Sequence, residues 1–226
     1  AAAGYPADEI TMQGVTFDEM RPGCWQPKER LADMDLNGVE AHIFERDTRL
    51  GGKLAQTIPW ERLSQAVWDV EIDRFLKTEN LHVNLGVSLS KDKVEELKNE
   101  FDYVVVAVGT HQPRTLSFPG HERVIPALEY LKAAKSDAPM ATGKQVVVIG
   151  AGNVGCDVAA EAYRLGADHV TLVDIQKPLA FGKERAAAEA LGATFKWPFM
   201  TREVTAAGII GADGTVLPAQ TVIISI

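Results

Sequence analysis

The chain has 226 residues, 46% hydrophobic and 24% charged, with a net charge of −8. These values suit one large or two small globular domains and exclude a general nucleic-acid surface, which would be basic. No apolar run reaches the length of a membrane span, and Ala1–Pro6 lacks the basic and apolar regions of a signal peptide, so a cytoplasmic setting is expected.

Residues 1–40 form an unassigned N-terminal segment. Pro22 and Pro27 flank Gly23-Cys24-Trp25, and a short helix from Pro27 is predicted to end at Asn37-Gly38. Ala41–Glu45 follows as a short strand ending in an acid, then a loop with Gly51-Gly52. Pro59–Lys77 predicts an amphipathic helix with Leu63, Ala66, Val67 and Val70 on its inner face. Leu81–Leu85 alternates as a strand does, and Val94–Glu100 predicts a helix with Val94 and Leu97 inward. Phe101–Val108 is expected to be a core strand, closed by Gly109-Thr110. Pro119-Gly120 turns the chain, Pro126–Ala134 predicts a short helix, and 136–139 is a linker.

The most informative stretch is Gln145–Asp174. Val146–Ile149 is apolar without alternation, as in a parallel strand buried on both faces. Gly150-Ala-Gly152-Asn153-Val154-Gly155 then matches G-x-G-x-x-G. In that motif the first glycine makes the turn, the second lets backbone approach a pyrophosphate, and the third lets helix and strand pack closely. The next helix carries Val154, Val158, Ala162 and Leu165 at helical spacing, and Gly166 ends it. A second strand, His169–Val173, leads to Asp174, 19 residues past Gly155 and close to the ~20 expected of a ribose-binding carboxylate. An acid there accepts from a ribose 2′-hydroxyl and repels a 2′-phosphate, which favours NAD over NADP.

Beyond Asp174, the pattern predicts a helix at Lys183–Leu191, a third strand from Thr194, an antiparallel excursion over Glu203–Leu217 turning at Asp213-Gly214, and a buried parallel strand from Thr221. The fold class is α/β with Rossmann-like parallel sheets. Cys24 and Cys156 form neither a disulfide framework nor a C-x-x-C pair, and Cys156 reads as a buried packing residue. The five histidines contain no H-x-H or H-x-x-x-H pair, so no metal site is expected. No acid–base or nucleophile constellation stands out, and the catalytic residues stay unassigned.

Glu45, Gly51-Gly52 and the run Asp102–Thr110, followed by Gly150–Gly155 and Asp157, resemble the flavin-dependent pyridine-nucleotide oxidoreductases. Gly52–Pro59, Ser117–Gly120 and Gly152–Ala159 are most similar to the glutamate synthase small-subunit type. The resemblance spans about 41–226. It implies a partial FAD-binding subdomain at 41–137 and an NAD(P)-binding subdomain at 138–226. Through it, Glu45 is expected to take the FAD ribose, or else to be a solvated strand-end acid. Gly51 and Gly52 would let backbone approach the flavin phosphates, or else make a plain turn. Ala107, Gly109 and Thr110 match the family's Ala-Thr-Gly strand end, with Val108 in place of its threonine. The implied activity is hydride transfer from NAD(P)H to FAD, then electron transfer to an iron–sulfur or other partner. Three departures make the chain read as a fragment: no glycine-rich loop precedes Glu45, the family's closing flavin-contact segment is missing, and so are its iron–sulfur cysteines. Glu19–Val39 separately resembles a segment of amidohydrolase-type metal-dependent hydrolases. The alternatives are therefore a non-catalytic nucleotide sensor and a hydrolase fragment.

Overall fold

A computed structural model of the protein describes residues 39–109 and 116–226, with short pieces at 11–12, 15–16 and 29. The expectations for the Pro22–Gly38 region as an element and for Thr110 fall outside the described residues. Two compact units emerge. One holds the described residues up to Leu50 together with Asp69–Asp102, and the other holds Gly51–Trp68 and Tyr103–Ile226.

In the first unit, β1 (Ala41–Glu45) and β2 (Leu81–Leu85) pair in parallel, from Ala41 beside Leu81 to Glu45 beside Leu85. Helix α3 (Lys91–Glu100) starts on Ser90, whose hydroxyl accepts from the Lys93 amide at 3.2 Å. Leu97 is its buried residue and Val94 is half-buried, as expected.

Two expectations fail between these elements. The stretch from Gly51 to Lys77 holds two helices, α1 (Gly52–Thr57) and α2 (Gln65–Leu76), with a turn at Pro59–Leu63 between them. On α2, Val67 and Val70 are 55% and 54% exposed, while Trp68 and Ile72 are half-buried. Apolar residues lie on more than one side of this helix, and the stripe with the large indole removes more apolar area from water than two valines. The second failure is Phe101–Val108. It has no strand partner among the described residues, and Tyr103 and Val105 are 90% and 85% exposed. An apolar run becomes a strand only where a ladder receives it, and none of the described sheets includes this run.

The second unit is built on a five-stranded parallel sheet in the order β3 (Ile125–Pro126), β10 (Thr221–Ile224), β4 (Gln145–Ile149), β5 (His169–Val173), β6 (Thr194–Lys196). One face carries Val146, Val148, Val170, Leu172 and Ile223. It packs under α4 (Ala127–Ala134), α5 (Asn153–Arg164) and α6 (Gly182–Ala190). The other face carries Val147, Ile149, Val173 and Val222. It packs on a three-stranded antiparallel sheet, β7 (Thr201–Thr205), β8 (Gly208–Gly211) and β9 (Val216–Pro218). Burial on both faces is why β4 shows no alternation. The expected excursion over 203–217 is this sheet, with a second turn at Ala206-Ala207 besides the one at Asp213-Gly214.

Buried charges on α5 are answered from outside the helix. Asp157 is 7% exposed, and Arg62 Nη1 donates to its Oδ2 at 2.6 Å; Arg62 Nη2 lies 2.6 Å from Glu184 Oε1. Glu161 is paired with Arg164, which also donates to the Ala134 carbonyl at the end of α4 at 2.7 Å. Burial pushes the Asp157 carboxyl above its ordinary value, while the Arg62 hydrogen bond opposes that push. An acid raised in the folded state binds more protons folded than unfolded, so its contribution to stability falls as pH rises through that window.

Arg62→Met should remove the opposing bond, leave Asp157 buried without its cation and cost about 2 kcal/mol near pH 7. The loss relative to the parent chain should shrink as pH falls toward the ordinary carboxylate range. Urea unfolding of both chains at pH 7 and pH 5 measures this, and an equal loss at both would contradict it.

Candidate functional site

The glycine motif sits at the carboxyl end of β4, where ligands bind in parallel α/β sheets. Gly150 has φ +108°, and a Cβ there would lie 2.1 Å from the Ser225 carbonyl oxygen. Its amide donates to the Val173 carbonyl at 2.8 Å, tying the turn to β5. At Gly155 a Cβ would lie 2.2 Å from the Gly150 carbonyl oxygen, so α5 approaches β4 as only glycine allows. Gly152 differs from both. It caps α5 with φ −87° and ψ −176°, and a Cβ there would meet nothing within 4 Å. That space lies at the N-terminus of a 12-residue helix, where the first amides have no acceptor within the helix. Val154, one residue into the helix, is 46% exposed.

Asp174 follows β5 directly. Its Oδ2 accepts from the Ala151 amide at 2.9 Å and its Oδ1 from the Gln176 amide at 3.2 Å. Two further bonds stitch the loop after Asp174 to the glycine turn. The Ala180 amide donates to the Ala151 carbonyl at 3.2 Å, and the Phe181 amide to Asn153 Oδ1 at 2.9 Å. The motif positions of Gly150, Gly152, Asn153, Val154, Gly155 and Asp174 are therefore one connected constellation. The motif offered no sign that Asn153 would hold the far loop or that Asp174 would hold the near one. Either bond could have been sought from the short polar side chains at those positions, which bond backbone readily.

Cys156, next on α5, is fully buried, and burial pushes its thiol up to about 11. It is a packing residue, as expected, and not a thiolate nucleophile.

The residues expected at the flavin are divided between the two units, Glu45 in the first and Gly51, Gly52, Ala107 and Gly109 in the second. Glu45 ends β1, and its Oε1 accepts from the Asp47 amide at 2.9 Å. Gly51 has φ +115°, and a Cβ there would lie 2.1 Å from the Trp68 ring. Its glycine is explained by packing. Gly52 opens α1, and a Cβ on it would meet nothing within 4 Å. Ala107 and Gly109 are exposed, and the run before them has no strand partner among the described residues.

No helix of the described residues is long and apolar enough to cross a membrane. The chain is similar to the glutamate synthase [NADPH] small chain of Mycobacterium tuberculosis, with 33% identity over 72% of this chain and 36% of that protein. It is 33% identical to the NADP(+)-dependent formate dehydrogenase subunit beta of Moorella thermoacetica, over 60% of this chain and 20% of that one. The chain thus spans well under half the length of both relatives. Among solved structures, it resembles Mycobacterium tuberculosis FprA in complex with NADPH, with a TM-score of 0.65 and 15% identity over 83% of this chain and 63% of that chain. It also resembles T. acidophilum thioredoxin reductase, with a TM-score of 0.60 and 15% identity over 84% of this chain and 70% of that chain. At such identities these structures speak for the fold, a Rossmann-like α/β arrangement. The family model described as pyridine nucleotide-disulphide oxidoreductase matches residues 29–226, most of the chain, and the protein belongs to that family.

Proposed function

We propose that this chain is the nucleotide-binding part of a flavin oxidoreductase that takes hydride from NAD(P)H to FAD and passes electrons to a partner. The observation that carries the reading is the open space at Gly152, set at the N-terminus of α5 and flanked by Asp174. The absence of any atom within 4 Å of a Cβ at Gly152 leaves the backbone open to a pyrophosphate, and the helix terminus favours its charge. When bound, the nicotinamide supplies a hydride and the flavin accepts it; the chain's own residues bind and orient. The amides of Asn153, Val154 and Gly155 would receive the pyrophosphate. Asp174 would accept from the ribose, and Asn153 would hold the adjoining loop in place. For FAD, the family resemblance supports Glu45 as a ribose contact, Gly51 and Gly52 as phosphate contacts, and Ala107, Gly109 and Thr110 as the matching strand end.

The relatives are named as subunits or chains of larger enzymes, which supports an electron-transfer partner, iron–sulfur or other. A cytoplasmic setting is part of the proposal, resting on the two isolated cysteines. NAD is favoured over NADP, because a carboxylate at Asp174 repels a 2′-phosphate and Lys177 lacks the fork of an arginine. The NADPH and NADP(+) in the relatives' names support the opposite preference.

Calorimetric titration with NADH should show binding to the intact chain. Gly152→Ala should weaken it about tenfold while unfolding at the parent's urea midpoint, since the added methyl meets only ligand. Gly155→Ala should instead lower stability by about 2 kcal/mol, because its methyl collides with backbone. Equal NADH affinity in Gly152→Ala and the parent would sink the phosphate assignment.

Asp174→Ser should shift preference toward NADPH by about 1–2 kcal/mol, the scale of a lost hydrogen bond plus relieved repulsion. Affinities for NADH and NADPH at one ionic strength, in parent and variant, measure it. Tighter NADPH binding by the parent would reverse the stated preference. NADH binding with no flavin reduction by the FAD-supplemented chain would favour the sensor reading.

A further inference from the structure

The in-register pairing of β1 and β2 does something that spacing along the chain does not reveal. His42 and His82 are cross-strand partners, and Glu40 lies two residues before His42, just ahead of β1. The two imidazole rings stack with centroids 4.5 Å apart. Both Nε2 atoms converge on one carboxylate oxygen. His82 Nε2 is 2.7 Å and His42 Nε2 3.2 Å from Glu40 Oε1.

We propose that Glu40, His42 and His82 form a binding site for a divalent transition cation of the Zn2+ class. The ligand atoms of all three residues lie within 4.8 Å of one another, and no ion is present. Around a tetrahedral ion with bonds near 2.1 Å, neighbouring ligand atoms sit about 3.4 Å apart. The 3.2 Å pair already has that spacing, and the 2.7 Å pair needs only a side-chain rotation at the surface. Two imidazoles and one carboxylate are a borderline donor set, suited to zinc and not to calcium or magnesium. Three protein ligands leave a fourth position for water, and the half-exposed His82 side chain leaves an entry path.

The surroundings steady the site. The edge of Phe101 meets the His42 ring at a centroid distance of 4.9 Å, and Phe44 stacks beside it at 6.4 Å. Phe101 is itself fixed, because its amide donates to the Leu97 carbonyl at 2.9 Å where α3 ends. One imidazole is thus held by an apolar wall while the other can swing to close on an ion. The ion would clip β1 to β2, and a two-stranded parallel pair gains much from such a clip. This proposal is independent of the dinucleotide reading.

The test is equilibrium dialysis of the 226-residue chain against Zn2+, with Co2+ as a spectroscopic stand-in. One Zn2+ per chain and the intense visible absorption of a tetrahedral Co2+ site are expected. His42→Ala and His82→Ala should each weaken binding at least about 100-fold, and Glu40→Gln about tenfold. His169→Ala, an exposed histidine in the other unit, should bind as the parent does. Circular dichroism on each variant confirms that folding is retained. Two results overturn the proposal: no Zn2+ bound at micromolar concentration, or unchanged affinity in both His42→Ala and His82→Ala. Either would leave the cluster as hydrogen bonds to a shared carboxylate.

Discussion

Backbone-on-backbone contact at Gly150 and Gly155 is the constraint on which the second unit depends. The end of β10, the turn after β4 and the first turn of α5 meet with no side chain between them. A single added methyl at either glycine would overlap a carbonyl oxygen by more than an ångström of normal separation. Because α5 starts so close, its buried face is lined by small and medium side chains, and Cys156, Val158, Ala159 and Ala162 are all fully buried there. The same closeness sets the helix N-terminus at the carboxyl ends of β4 and β5, the one place where its amides and Asp174 can serve a single ligand.

That approach brings a cost on the other side of the helix. Asp157 and Glu161 are acids on a largely buried surface, and neither would be stable there as a lone charge. Arg62 and Arg164 answer them, and each arginine has a further partner, Glu184 and the Ala134 carbonyl respectively. Well-packed apolar residues could give similar stability. What the ion pairs add is direction. Arg62 ties the turn between α1 and α2 to two helices, and Arg164 satisfies an orphan carbonyl at the end of α4.

Where short-range signals suffice, the fold was legible. Val146–Ile149, the three glycines and Asp174 carry their own geometry, and strand, turn, helix and strand follow from Gln145 as the spacing predicts. Elements decided by distant partners were not legible. Phe101–Val108 has the composition of a core strand, yet strand character is a property of a ladder and no described strand supplies one. The inner face of α2 was misread because apolar residues surround it and only packing chooses among them. Strand β3 is two residues long and exists by pairing with β10, far along the chain. His42 and His82 lie 40 positions apart in sequence and adjacent in register, a relation that no local spacing rule detects.

The candidate site shows how a loop can be held firmly and still present a binding surface. Residues 175–181 are bonded inward through their backbone, to Asp174, Ala151 and Asn153. Pro178 and Ala180 are buried, but three apolar side chains stay out: Ile175, Leu179 and Phe181 are 65%, 69% and 73% exposed. Exposed apolar groups on a well-tied loop cannot turn inward without breaking those bonds, so their hydration is a standing cost. A ligand with a flat, partly apolar ring next to an anionic group would relieve that cost while its phosphates met the α5 amides. A dinucleotide has that division of character. The geometry on the two sides of Asp174, polar amides toward α5 and apolar side chains along the loop, is therefore a second line of support for the proposed cofactor, separate from the glycine motif.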